Sequence, residues 1–322
     1  MPKMTRLAIL LAALLGIAIP AAAQDYPNRP ITLVVPFPPG GSTSIVARIV
    51  ADKLAEGLGQ SIVIDNRGGA GGTVGTRAVA KSAPDGYTLV LGYTGTLAIG
   101  PNLYPNAGYD PRKDFAAVGR IGTAPNTLVV HPSFNVKSVA ELIAYAKANP
   151  GKVNFGSAGN GTVSHVSGEY FAAQAGIKLI HIPYKGTGPA LIDLLGGHIP
   201  MAFAPIPATH ESSKAGKLRM LAVTSIKRTP MIPDMPTISE TLPGFEAVLR
   251  YGIAAPAGTP RAIIDKLNKA LNAALANADV RKRLATDGAD TLPGTPEDYA
   301  ADIDREEKQW AKVVKESGAK AE

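Results

Sequence analysis

Apolar positions along this chain switch between two periods. Residues 31–35 are apolar but for Thr32, the mark of a strand buried on both faces. From Ser42 the apolar residues Ile45, Val46, Ile49, Val50, Leu54 and Leu58 recur at helical spacing until Gly59. A second strand is expected at 61–65, a helix ending near Val79, a turn at Asp85-Gly86 and a third strand at 87–91. Strand, helix, strand, helix, strand is the opening of a doubly wound parallel sheet.

The alternation then repeats. A strand at 128–130, a helix opening at 136–141 and a stop at Asn149-Pro150-Gly151 precede a helix with Val163, Val166, Tyr170 and Phe171 on its apolar face. A strand at 179–182, a helix start at 185–189 and strands at 201–204 and 218–224 complete a second α/β unit. Prolines break the pattern at 230–244, and a strand follows at 251–255. Thr259 as N-cap and Pro260 at the first helical position open a helix with Ile263, Ile264, Leu267, Leu271 and Leu275 inward. A last helix starts at Thr295 and carries Tyr299, Ile303, Trp310 and Val314. These C-terminal helices are expected to return to the first unit, so that the chain crosses between units twice.

Two strand ends break in the same way. After residues 31–35 comes Pro36-Phe37-Pro38-Pro39-Gly40-Gly41-Ser42-Thr43-Ser44, and after residues 153–155 comes Gly156-Ser157-Ala158-Gly159-Asn160-Gly161-Thr162. A glycine turn between strand and helix leaves N–H groups unpaired at the positive end of the helix dipole, which suits an anion. Two such loops in one chain suggest half-sites that close on a small carboxylate.

Composition narrows the setting. The 322 residues suit two domains, 45% hydrophobic content supplies their cores, and 34 Gly with 27 Pro implies many turns. Lys3 and Arg6, an apolar run at 7–19 and Ala21-Ala22-Ala23 form a secretory leader at 1–23, cleaved near Ala23, in preference to a membrane anchor. The expected location is the periplasm. With the leader gone the net charge of +7 falls by two to +5, a modest excess with no aromatic-interleaved basic run, so nucleic acid is not an expected partner. The chain has no cysteine, hence neither disulfide nor lipidated thiol.

Enzyme readings find little support. The run 68–75 imitates a dinucleotide loop, but Val74 stands where its third glycine belongs. An exported hydrolase would need a nucleophile and base, and neither a G-x-S-x-G nor a partner spacing among the five histidines (131, 165, 181, 198 and 210) is present. No metal or cofactor is expected, since there is no H-x-x-x-H pair.

Six segments carry a family resemblance: Pro36-Phe37-Pro38-Pro39-Gly40-Gly41, Pro84-Asp85-Gly86-Tyr87, Asn154-Phe155-Gly156-Ser157, His181-Ile182-Pro183-Tyr184-Lys185-Gly186, Pro236-Thr237-Ile238-Ser239-Glu240 and Ala255-Pro256-Ala257-Gly258-Thr259-Pro260. In this order, over nearly the whole mature chain, they resemble the periplasmic solute-binding proteins of tripartite tricarboxylate transporters, the Bug-type receptors. The resemblance implies an α/β fold of two doubly wound lobes, like a type II periplasmic binding protein. Lobe 1 would hold residues 24–123 and 249–322, lobe 2 residues 124–248, with the hinge near 119–126 and 247–252.

It also implies a carboxylate held by Phe37, Gly40, Gly41, Ser42 and Thr43 from the first lobe. Ser157, Ala158, Gly159, Asn160, Gly161 and Thr162, with His165 nearby, would hold it from the second. Tyr93 and Thr94, at the carboxyl edge of the third strand, join the expected site. Three positions depart from the family pattern: Ser44 and Ala204 replace acids, and Arg250 replaces a tryptophan. If they reach the cleft, they make it more cationic and favour a second carboxylate, as in a phthalate isomer such as terephthalate; nicotinate-like and citrate-like acids stay open. The implied partner is a membrane permease, to which a monomeric receptor delivers its ligand; delivery to a membrane sensor is the alternative.

Overall fold

Strand β1 (Ile31–Val35) lies between β2 (Ile62–Asn66) and β3 (Thr88–Tyr93), parallel to both, in a computed structural model that describes residues 26–37, 39, 42–104 and 106–317. The leader expected at 1–23 falls outside the described residues, as do Gly40 and Gly41. Ile31, Leu33, Val34 and Val35 are almost wholly buried, because helix α1 (Ser42–Leu58) covers one face of the sheet and α2 (Thr73–Ala80) the other. Burial on both sides is why β1 reads as an apolar run broken only by Thr32, its one half-buried position.

The mixed α/β sheet runs in the order β2-β1-β3-β9-β4-β7-β5-β6, and β4 (Phe115–Val130) is the strand that joins its halves. Residues 115–125 of β4 pair antiparallel with β9 (Val248–Pro256). From Asn126 the same strand pairs with β7 (Met201–Pro205) and, one residue later, with β8 (Arg219–Val223) on its other edge. Beyond β7 lie β5 (Val153–Ser157) and β6 (Leu179–Pro183), both parallel to it in direction. The short β10 (Asp290–Thr291) pairs with β4 at Gly122 and Thr123. The sequence pattern reveals only the 128–130 end of β4, because Gly119, Gly122 and Pro125 interrupt its apolar run. A Cβ on Gly122 would lie 2.3 Å from the Asp290 carbonyl oxygen, so the glycine is what admits β10.

Eight further α-helices follow among the described residues: α3 (Gly100–Leu103), α4 (Val139–Ala148), α5 (Val163–Ala175), α6 (Thr187–Leu195), α7 (Ile206–Lys214), α8 (Arg261–Ala276), α9 (Ala278–Thr286) and α10 (Pro296–Ser317). Pro260 is the N-cap of α8, one place before the helical position expected for it, while the Thr259 hydroxyl turns back to the Pro256 carbonyl at 2.7 Å.

Helix α10 touches both halves of the sheet. Tyr299 and Ile303 pack with Val34, Val90 and Leu97, whereas Trp310, Val313 and Val314 enter the core of Phe155, Phe171 and Phe203. The last helix therefore extends past the first unit and packs on the second as well. Its seat is made by two glycines that face each other across the β3–β9 ladder, Gly92 and Gly252. A Cβ on Gly252 would lie 2.2 Å from the Tyr299 ring, and one on Gly92 2.8 Å from its hydroxyl.

Candidate functional site

Between the two halves lies a cavity of about 460 Å³, a size suited to a small molecule. From the first half come Phe37, Thr43 and Tyr93; from the second come Ala158, Thr162, Val163 and Ser164. The ring of Phe37 meets that of Tyr93 edge to face at 5.0 Å. Asn66 braces this strand end, its Nδ2 donating to the Phe37 carbonyl oxygen at 2.8 Å and to Ser44 Oγ at 3.4 Å. Ser42 is the first residue of α1, and the buried Ser44 faces Asn66 and does not line the cavity.

The second loop turns on positive φ angles at Gly159 (120°) and Gly161 (76°), a region that glycine enters without strain. Most of its N–H groups already have acceptors. Ala158 N donates to Ser164 Oγ (2.9 Å), Gly159 N to Ser157 Oγ (3.0 Å), Gly161 N to His165 Nδ1 (3.2 Å) and Thr162 N to the Gly159 carbonyl (3.3 Å). The Thr162 side chain caps α5 by accepting from His165 N. Val163 and Ser164, the first two residues of α5, line the cavity at the positions whose N–H groups a helix leaves unpaired. The donors facing the cavity are thus one step further along the chain than the glycines.

His165 and Ser157 lie beneath this loop, out of the cavity. Ser157 Oγ lies 2.6 Å from His181 Nε2, and the rings of His165 and His181 stack with centroids 4.0 Å apart and planes 15° from parallel. Burial holds the His165 imidazole down at about 4; burial and then the neighbouring His165 hold His181 at about 3. Both are neutral near pH 7 and act as acceptors for the loop. Glu169 Oε1 lies 3.8 Å from His165 Nε2, which brings three possible metal ligands together. Yet an imidazole binds an ion in its own plane, and two nearly parallel stacked rings do not aim at one ion.

The floor is built where β4 and β9 cross the junction, from Ala124, Pro125, Asn126, Leu249 and Tyr251. Side chains alternate across a strand, so Arg250, between Leu249 and Tyr251, points to the opposite face. There its guanidinium pairs with Glu306 and with Glu246 Oε1 at 3.2 Å. This corrects the expectation that Arg250 adds positive charge to the cleft. Thr94 belongs to the same buried network: its hydroxyl donates to Glu306 Oε2 at 2.9 Å and accepts from Arg250 N at 2.9 Å. Burial pushes Glu306 up to about 6, against the opposing pull of Arg250. Ala204 is likewise buried off the cavity, its carbonyl accepting from Thr127 Oγ1 at 3.0 Å, while the next residue, Pro205, lines the wall. The expected residues Gly159, Asn160 and Gly161 shape the loop without lining the cavity.

Two more helix starts reach the cavity. Gly186 and Thr187 at the head of α6, and Pro205 and Pro207 at the head of α7, line it, and neither helix has a side-chain cap bond. Lys185 adds a cation on the α6 side and Asp287 a carboxylate from the first half. The start at 185–189 is visible in the sequence as a helix opening; applying to it the dipole rule used for the two glycine loops would have flagged it. Asn126 and Tyr251 carry no comparable local signal, because only long-range strand pairing brings them together.

Known proteins resemble this chain over most of its length. Residues 46–319 match the family described as "Tripartite tricarboxylate transporter family receptor". The chain is 42% identical to Protein BugT of Bordetella pertussis over 323 residues, covering 99% of each. It superposes on the structure of Rpa4515 from R. palustris with adipate, with a TM-score of 0.82, 39% identity and coverage of 91% of this chain and 98% of that one. For MatC from Rhodopseudomonas palustris with bound malate the values are 0.79, 36%, 90% and 100%.

Proposed function

This chain belongs to the tripartite tricarboxylate transporter receptor family, periplasmic solute-binding proteins and not enzymes, and on that premise we propose that it captures a dicarboxylate in the cavity between its two halves. The observation that carries the reading is the convergence of four helix starts, at Ser42, Val163, Thr187 and Ile206, on one cavity. Each contributes partial positive charge, and the starts of α1, α5 and α6 add unpaired N–H groups, while α7 presents Pro205 and Pro207, which have none; a dianion is thus stabilised without an arginine in the cleft. One carboxylate bridges Thr43 and the first turn of α5. The other lies at the head of α6 beside Lys185. The ligand body rests on Phe37, Tyr93, Leu249 and Tyr251.

Adipate and malate in the two relatives make dicarboxylates the first class to test. The aromatic diacid expected from a cleft-facing Arg250 loses that argument, and terephthalate enters the test as one candidate among several. Lobe 1 is taken as 24–123 with 249–322 and lobe 2 as 124–248, hinged where β4 changes partners. The closed form is favoured on binding because only it presents both sets of donors to one ligand. A leader at 1–23, cleaved near Ala23, delivers a monomeric receptor to the periplasm, where the closed form docks on a membrane permease. Binding and release involve no bond making.

The reading is tested by thermal shift on protein purified from the periplasm, then denatured and refolded to strip ligand. The panel holds mono-, di- and tricarboxylates, terephthalate, amino acids and NAD. Ligands that bind the native state raise the midpoint by mass action. A rise confined to dicarboxylates supports the reading; a rise with amino acids or NAD alone overturns it.

A further inference from the structure

Asn126 sits in the middle of the cavity floor, where β4 leaves β9 and meets Pro205 of β7. Its main chain is clamped on both sides by one residue: Asn126 N donates to Thr224 Oγ1 at 2.9 Å, and its carbonyl accepts from Thr224 N at 2.9 Å. The residue is only 2% exposed, so its side chain has a fixed place. Even so, Oδ1 has no hydrogen-bond partner among the described residues. Of its neighbours along and across the strands, Ala124, Pro125, Pro205 and Leu249 have no side-chain donor to offer. A buried amide oxygen without a donor is costly, and native proteins rarely leave one so.

We infer that Asn126 is a specificity-determining residue that reads a hydroxyl on the ligand's carbon chain, so that the preferred class is the hydroxylated dicarboxylates. This rests on the dicarboxylate reading above. A ligand spanning the heads of α5 and α6 passes its middle over Asn126. Carboxylate oxygens only accept and cannot serve Oδ1, and a methylene offers nothing. A hydroxyl donates to Oδ1 and, because a primary amide carries both functions, can also accept from Nδ2.

The test is calorimetric titration of stripped protein with matched pairs that differ by one hydroxyl: succinate and malate, glutarate and 2-hydroxyglutarate. The expected result is tighter binding of the hydroxylated member of a pair by about tenfold or more. Asn126→Ala is expected to bring that ratio close to one. Equal wild-type affinity within both pairs overturns the inference, with Oδ1 then served by water, and leaves the dicarboxylate reading standing. An unchanged ratio in Asn126→Ala also overturns it, since the hydroxyl is then read elsewhere. If neither member of either pair binds, the inference falls; thermal shift with adipate and terephthalate then decides whether the dicarboxylate reading falls too. The wild-type comparison depends on no variant folding.

Discussion

Ser157 Oγ accepts the Gly159 N–H at 3.0 Å and stands 2.6 Å from Nε2 of His181, so one hydroxyl ties the second glycine loop to an imidazole beneath it. The arrangement that satisfies all three groups has Ser157 donating its proton to a neutral His181. On the other side of the stacked pair, His165 Nδ1 accepts from Gly161 N at 3.2 Å. Two turns of one loop are thus held by two imidazoles that must stay unprotonated.

That arrangement predicts acid sensitivity. Both histidines have folded values near 4 and 3, below the ordinary value of about 6.5. Below pH 6.5 the unfolded chain binds more protons at these sites than the folded one. Their stabilisation is therefore complete above that pH and is lost as pH falls through 4 toward 3. Glu306, raised to about 6, acts in the opposite sense between its two values. The comparison to make is the midpoint against pH for wild type and His181→Phe, which keeps a ring against Phe155. The variant is expected to show the shallower fall on acidification; parallel curves would mean that His181 does not titrate with unfolding.

Arg250→Ala is expected to act on stability and not on ligand choice. The substitution leaves Glu306 buried without its cation, a loss of about 3–5 kcal/mol. Denaturant unfolding measures it, and titration should find mono- and dicarboxylates affected alike. Selective loss of dicarboxylates would instead return Arg250 to the cleft.

Lys185→Ala is expected to weaken a dicarboxylate by about five- to tenfold while changing its monocarboxylate analogue less. The effect should shrink with added salt, because Lys185 is solvent-exposed. Equal losses for both ligands, measured by titration at two ionic strengths, would remove Lys185 as the second anchor.

Gly252→Ala is expected to cost about 1–3 kcal/mol, since the new methyl group meets the Tyr299 ring in its seat. Pairing it with Tyr299→Leu should recover part of the loss in a double-mutant cycle. Strict additivity would show that Tyr299 does not occupy that slot.

Local pattern carried much of this protein. The apolar run at 31–35 and the face of Val46, Val50 and Leu54 are legible because a strand or helix records in its own spacing which side is buried. The helix start at Ser42 and the glycine turn ahead of Val163 are legible for a similar reason: a turn's backbone angles and a helix's unpaired first N–H groups are short-range properties. Phe37, Ala158 and Thr162 came from the family resemblance and Tyr93 from its place at the edge of the third strand; all four line the cavity.

Tertiary structure decided what spacing cannot encode. Whether Arg250 or its neighbours Leu249 and Tyr251 face the cavity depends on the parity of β9 against β4, a pairing across more than a hundred residues. Asn126 becomes part of the floor only because β4 changes partners there, and Thr94 becomes a buried ligand of Glu306 only because α10 crosses both halves. Residue types and local periods thus determine the elements and their buried faces. Pairings between distant strands determine which polar groups meet, because that depends on register and twist, which no local window contains.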